Sequence, residues 1–150
     1  EGILVCGKHF PGHGCAAGDT HIEGVEDARE YESIVSQDMI PYKQLKHKMD
    51  CVMTAHVVYP HCDPLPATLS PFWHDRLKQE VGYTGLVATD CLSMEGLTGN
   101  VIDNVNDALD VGCDFVLLCN CPNEVDSLLK ESITIKQNAS LSRINARVES

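Results

Sequence analysis

The sequence predicts an α/β chain built from repeated parallel βα units, and two observations carry that expectation. Four short apolar runs recur along the 150 residues: Ile3 to Cys6, Cys51 to Val58, Gly85 to Thr89 and Phe115 to Cys119. Each is followed by polar loop residues and then by a helical pattern. Continuous rather than alternating apolar strands belong to parallel sheets covered on both faces.

The elements follow in order. The first run leads into Lys8-His9-Phe10-Pro11-Gly12-His13-Gly14, with Asp19-Thr20-His21 a short interval later. A strand ending in a cation, histidines, a proline and two glycines builds a polar loop above a sheet. Parallel α/β enzymes place their chemistry there, outside the carboxyl ends of the strands. Tyr42, Leu45 and Met49 mark a short helix after Pro41. Ser70-Pro71 supplies an N-cap and a proline at the first helical position, and Phe72, Leu77 and Val81 continue to Gly82 as a stop. Ile102, Val105 and Leu109 end at Gly112, Pro122 through Lys130 form a third helical pattern, and Ser140 caps a last one with Leu141, Ile144 and Val148. Right-handed crossovers then give a parallel sheet with helices outside it. A doubly wound sheet and half of a (β/α)8 barrel both satisfy that pattern.

Composition narrows the function. Hydrophobic content of 43% and charged content of 22% are ordinary for a globular domain with a real core. No apolar run approaches the ~20 residues that span a bilayer. A formal charge of -11 argues against nucleic acid or an anionic membrane as partner. The chain begins at Glu1 rather than methionine, so the lack of a leader pattern weighs little. Eight cysteines are present, but Cys6, Cys51, Cys113 and Cys119 sit in or beside apolar runs without a disulfide framework. Buried free thiols act as small hydrophobes, which points to a reducing compartment, the cytoplasm. Cys119-Asn120-Cys121 has no second cysteine pair to complete a metal site.

The segment Lys8 to Gly14, Asp19-Thr20-His21 and a second motif, Ala88-Thr89-Asp90-Cys91-Leu92-Ser93-Met94-Glu95-Gly96, together resemble glycoside hydrolase family 3, in its β-N-acetylhexosaminidase branch. The resemblance spans nearly the whole chain and decides for the barrel, because in that family the two motifs follow the fifth and seventh strands. Residues 1–150 would then be the second half, strands five to eight, of a catalytic barrel that takes about 250 residues when complete.

The resemblance implies a retaining hydrolase that removes β-linked N-acetylglucosamine from a non-reducing end, in bacteria from muropeptides during cell-wall recycling. Asp90, at the end of its strand, is suited to be either a helix N-cap or a nucleophile; the following Cys-Leu-Ser-Met shifts the weight to nucleophile by resemblance. The acid/base is implied to be His21 held by Asp19. An imidazole titrates near neutrality and can donate to the leaving oxygen, then take a proton from water. Gly12, Gly14 and Gly18 leave that loop free to close over the sugar. By resemblance Lys8 and His9 bind the sugar. His13 is expected to order the loop. His56 ends its strand and either lines the pocket or sits behind it, and Met94 packs either near the acetamido group or in the core. No cofactor or metal is expected.

Two departures stand out. Cys15-Ala16 occupies the place where the family commonly has Asp-Thr, and the aspartate and arginine that grip the sugar from the first half-barrel have no counterpart, so they are expected upstream of Glu1. Residues 1–150 alone are therefore expected to be inactive and to self-associate through open barrel edges. Two other readings compete. One is a metal-dependent hydrolase using His9, His13, His21 and Asp90, disfavoured by the adjacent Lys8 and by the lack of a strand His-x-His. The other is a non-catalytic half-barrel acting as a structural or interaction fragment.

Overall fold

A computed structural model describes residues 3–16, 24–94, 96–130, 142 and 144–145. Asp19, His21 and most of the expected last helix lie outside the described residues. The elements are β1 (Cys6–Phe10), β2 (Val25–Glu26), α1 (Tyr31–Gln37), α2 (Ile40–Leu45), β3 (Cys51–Thr54), β4 (Val57–Tyr59), β5 (Asp63–Pro66), α3 (Pro71–Asp75), β6 (Leu86–Cys91), α4 (Val101–Val111), β7 (Phe115–Leu117) and α5 (Pro122–Lys130).

Four strands pair in sequence order, β1-β3-β6-β7, and every pairing is parallel. That is the α/β arrangement the apolar runs predict. Register matches Val52 with Val87 and Thr54 with Thr89. The two threonines are buried, and each spends its hydroxyl on a neighbouring strand: Thr54 Oγ1 donates to Ala88 O at 3.2 Å, and Thr89 Oγ1 accepts the Leu117 N–H at 3.0 Å. β7 is pinned at its start by Asp114, whose carboxylate accepts the Val87 N–H at 2.8 Å. A small second sheet, β2-β4-β5, sits beside the main one.

Several boundaries differ from expectation for physical reasons. The first strand runs over Cys6–Phe10, and the apolar residues before it are exposed: Ile3 by 85%, Leu4 by 68% and Val5 by 48%. β1 is an edge of the sheet, and the run that leads into it is tied to Asp50 and Cys51 through the Val5 backbone while its side chains stay largely open. The second apolar run splits into β3 and β4 at Ala55 and His56: Ala55 N–H still donates to Phe10 O of β1, but Ala55 O turns away to accept the Thr68 N–H, and β4 joins the second sheet. α1, β2 and β5 were not expected, since each is short or polar. Cysteine burial also needs correction. All eight thiols are free, but Cys6 and Cys119 are exposed and Cys51 is half-buried, leaving Cys113 as the buried member of the four.

The signals for α3, α4 and α5 hold up, whereas the helix expected after Pro41 runs over Ile40–Leu45 and leaves Met49 outside. Ser70 Oγ accepts the Trp73 N–H at the start of α3, and the helix continues as a wider π turn over Arg76–Glu80. Asn100 caps α4, which ends at Gly112 in the left-handed conformation, φ 118°. Trp73, fully buried, packs edge-on against Phe10 and Tyr59. It welds α3 to the ends of β1 and β4. A second cluster, Leu92, Leu97, Val105 and Leu128, seats α4 and α5 on the turn after β6. Among the described residues no helix is long and apolar enough to cross a membrane.

Candidate active site

Parallel strands present their carboxyl ends on one side, and the chemistry-bearing residues gather there. His9 near the end of β1 and Asp90 near the end of β6 meet: His9 Nε2 lies 3.2 Å from Asp90 Oδ2. The other carboxylate oxygen, Oδ1, accepts the backbone N–H of Cys91 at 2.8 Å. Both side chains remain partly open, Asp90 by 21% and His9 by 27%. The hydrogen bond from His9 holds the Asp90 carboxyl well below the usual carboxylate range; burial works the other way, and the Cys91 N–H adds to the lowering. Asp90 is thus an ionised carboxylate with access to solvent, which is what a nucleophile needs.

His56 is 1% exposed and sits behind that pair. Its Nε2 lies 3.0 Å from the Cys91 carbonyl and its Nδ1 2.9 Å from Thr68 Oγ1. A carbonyl oxygen can only accept, so Nε2 carries a proton. The ring therefore braces the backbone of the residue next to Asp90. Met94, 8% exposed, lies in the turn after β6, where its N–H donates to Cys91 O and its carbonyl accepts from Leu97. His13 packs edge-on to His9 with ring centroids 5.8 Å apart. The peptide bonds Lys8–His9 and Phe10–Pro11 are cis. Lys8, His9 and His13 border a cleft of about 450 Å³ that is also lined by Asp38, Tyr42 and Met49. It opens along the edge strand β1, and Asp90 is not among its walls.

A cluster that sequence reading missed lies just after β2. Arg29 donates from Nε and Nη2 to Asp27 and from Nη1 to Asp38 Oδ2 at 2.7 Å. Asp27 is 2% exposed, and the hydrogen bond from Arg29 keeps its carboxyl low. Asp38 in turn crowds Gly12, where an added Cβ would lie 2.3 Å from its Oδ1. The Tyr59 hydroxyl donates to Gly12 O. Gly12, before the Asp19/His21 segment, is thus bonded by Tyr59 and closely approached by Asp38, and Asp27 and Arg29 after the segment pair with each other, Arg29 also with Asp38. The only sequence signal was the Asp-x-Arg spacing at 27–29.

Comparisons with known proteins agree with one another. Residues 1–150 match the family described as glycosyl hydrolase family 3 N terminal domain. The chain is 44% identical over 132 residues to a beta-hexosaminidase of Aromatoleum aromaticum, an alignment covering 85% of this chain and 37% of that protein. Among solved structures, NagZ from Neisseria gonorrhoeae in complex with N-trifluoroacetyl-D-glucosamine superposes with a TM-score of 0.85 at 35% identity, over 97% of this chain and 43% of that one. CbsA from Thermotoga neapolitana gives a TM-score of 0.86 at 30% identity, over 99% of this chain and 37% of that one. The chain thus spans about two fifths of the length of these relatives. Parallel βα units, a strand-end carboxylate paired with a histidine and a match over the full chain place it in glycosyl hydrolase family 3, within the N-terminal domain.

Proposed function

We propose that this chain is the second half of a family 3 catalytic barrel and that the whole protein is a retaining β-N-acetylglucosaminidase. The observation that carries the reading is the His9–Asp90 contact at the carboxyl ends of two parallel strands. The beta-hexosaminidase names of the relatives, and the N-acetylglucosamine derivative bound in the Neisseria structure, support the sugar.

In this reading the Asp90 carboxylate attacks the anomeric carbon while His21, oriented by Asp19, protonates the departing oxygen. A glycosyl ester on Asp90 forms, and the C–O bond to the aglycone breaks. His21 then takes a proton from water, which attacks the anomeric carbon and frees Asp90. A low carboxyl pKa suits both halves, since the group is always ionised for attack and departs readily from the ester. Lys8 contributes donors to the sugar hydroxyls, and His9 adds to them beside Asp90. His56 acts on Asp90 through the Cys91 backbone, and Met94 through the packing of the turn. Muropeptides as substrate, a cytoplasmic location and residues gripping the sugar from an earlier half-barrel complete the proposal.

The metal-hydrolase reading is weaker. His9 spends its Nε2 on Asp90, and Lys8 places a positive charge beside it. The deciding experiment compares an aryl N-acetyl-β-glucosaminide with the matching β-glucoside on the full-length protein. A strong preference for the first is expected, and preference for the glucoside would move the chain elsewhere in the family.

A further inference from the structure

The geometry points to an oxidisable thiol pair beside the reacting carboxylate: Cys91 and Cys119 are placed to close a disulfide that ties the end of β6 to the segment after β7. Cys91 follows Asp90 directly, and its Sγ accepts the Cys119 N–H at 3.1 Å. The same sulfur lies 3.0 Å from Ser93 Oγ, and Ser93 donates to Cys119 O at 2.9 Å. Cys91 Sγ also lies 4.0 Å from the Cys119 carbonyl oxygen, so both backbone polar atoms of Cys119 border that sulfur. Cys119 Sγ is three bonds from the nitrogen that touches Cys91, so rotation about one side-chain bond sweeps it past its partner. Asn120, in the left-handed conformation at φ 58°, turns the chain there, and Cys119 faces solvent.

The chemistry favours Cys91 as the attacking sulfur. Burial works to raise its thiol, but hydrogen bonds from Ser93 and Cys119 outweigh it and leave the group below its ordinary value. The Cys119 thiol is raised, chiefly by its hydrogen bond to Cys91. Cys91 is 9% exposed, enough for a small hydroperoxide to reach the sulfur, and the lower of two thiols reacts first. It displaces hydroxide from hydrogen peroxide and becomes a sulfenic acid. The Cys119 thiol then attacks that sulfur and expels water. Two thiols lose two electrons and two protons, and the peroxide becomes two waters.

Closure would pull on the one residue whose N–H holds Asp90 Oδ1 and whose carbonyl receives His56. Oxidation is therefore expected to slow turnover about tenfold by misplacing Asp90. That effect rests on the glycosidase reading; the bond itself does not.

The test treats the full-length protein with hydrogen peroxide, blocks remaining thiols, and digests before aspartate. That cut places Cys91 in 90–102 and Cys119 with Cys121 in 114–125. A cross-link between these peptides that survives in Cys121→Ser and vanishes in Cys119→Ser is expected. Activity should fall with its formation, return with dithiothreitol, and resist peroxide in Cys119→Ser. A 119–121 bond instead, or Cys91 oxidised without a partner, overturns the proposal. A cross-linked protein inactive in both redox states would leave the pair intact and sink the glycosidase reading.

Discussion

His9 Nε2 reaches Asp90 Oδ2 at 3.2 Å although β3 separates their strands in the sheet. Asp90→Ala should therefore cost more than any other single change, lowering kcat at least about a thousandfold. Circular dichroism should show an unchanged fold. Turnover within tenfold of the parent would remove Asp90 from the nucleophile's role.

His9→Ala takes away the main cause of the low Asp90 carboxyl. In the folded parent the group stays ionised throughout the working range, so its stabilising contribution is present above the unfolded value and drains only as pH falls toward the folded one. Without His9 the carboxyl rises toward the ordinary value of about 3.9. The acid limb of kcat/KM should move to higher pH, alongside a larger KM. A profile unchanged in shape would show that His9 does not set the charge of Asp90.

His21→Ala should harm substrates with poor leaving groups far more than activated aryl substrates, which need little protonation. Asp19→Ala should give a milder version, because the imidazole remains. Equal losses across a leaving-group series would rule out His21 as the acid.

Arg29→Leu strips the partner from buried Asp27 and releases Asp38 near Gly12. A destabilisation of about 3 kcal/mol is expected in denaturant melts. The activity loss should follow the His21 pattern, heavier on poor leaving groups, because the loop that carries the acid is loosened. A uniform loss would mean that Arg29 serves only stability.

What could be read from the residues follows from which forces act locally. The four strands and the caps of α3 and α4 were legible because apolar runs, Ser70 and Gly112 state their preference within a few residues. The real start of β1 was not, because a sequence cannot say that Ile3, Leu4 and Val5 lie along a sheet edge. Asp90 and His9 were readable as strand-end residues, but their contact depends on the curvature of the whole sheet. The role of His56 turned on whether its ring faced the pocket or the Cys91 carbonyl, a choice made by Thr68 twelve residues away. The Arg29 cluster joins three loop positions, and no periodicity announces it.

Residues 1–150 expressed alone should be inactive. Asp90, His21, Asp19, Lys8 and His9 are all present, so the reacting groups are nominally complete. Placement is not, since catalysis depends on holding the sugar to within about an ångström. β1 and β7 are the outer strands of the sheet, and the apolar stretch leading into β1 is exposed from Ile3 to Val5. Open backbone edges beside exposed apolar side chains seek a partner. The isolated chain should therefore sediment as a dimer or larger species. Mixing it with a separately expressed upstream half should return both a single compact mass and hydrolysis of the aryl N-acetylglucosaminide. Full activity in a monomer of 1–150 would refute the half-barrel assignment, because a complete sugar site would then exist without the missing strands.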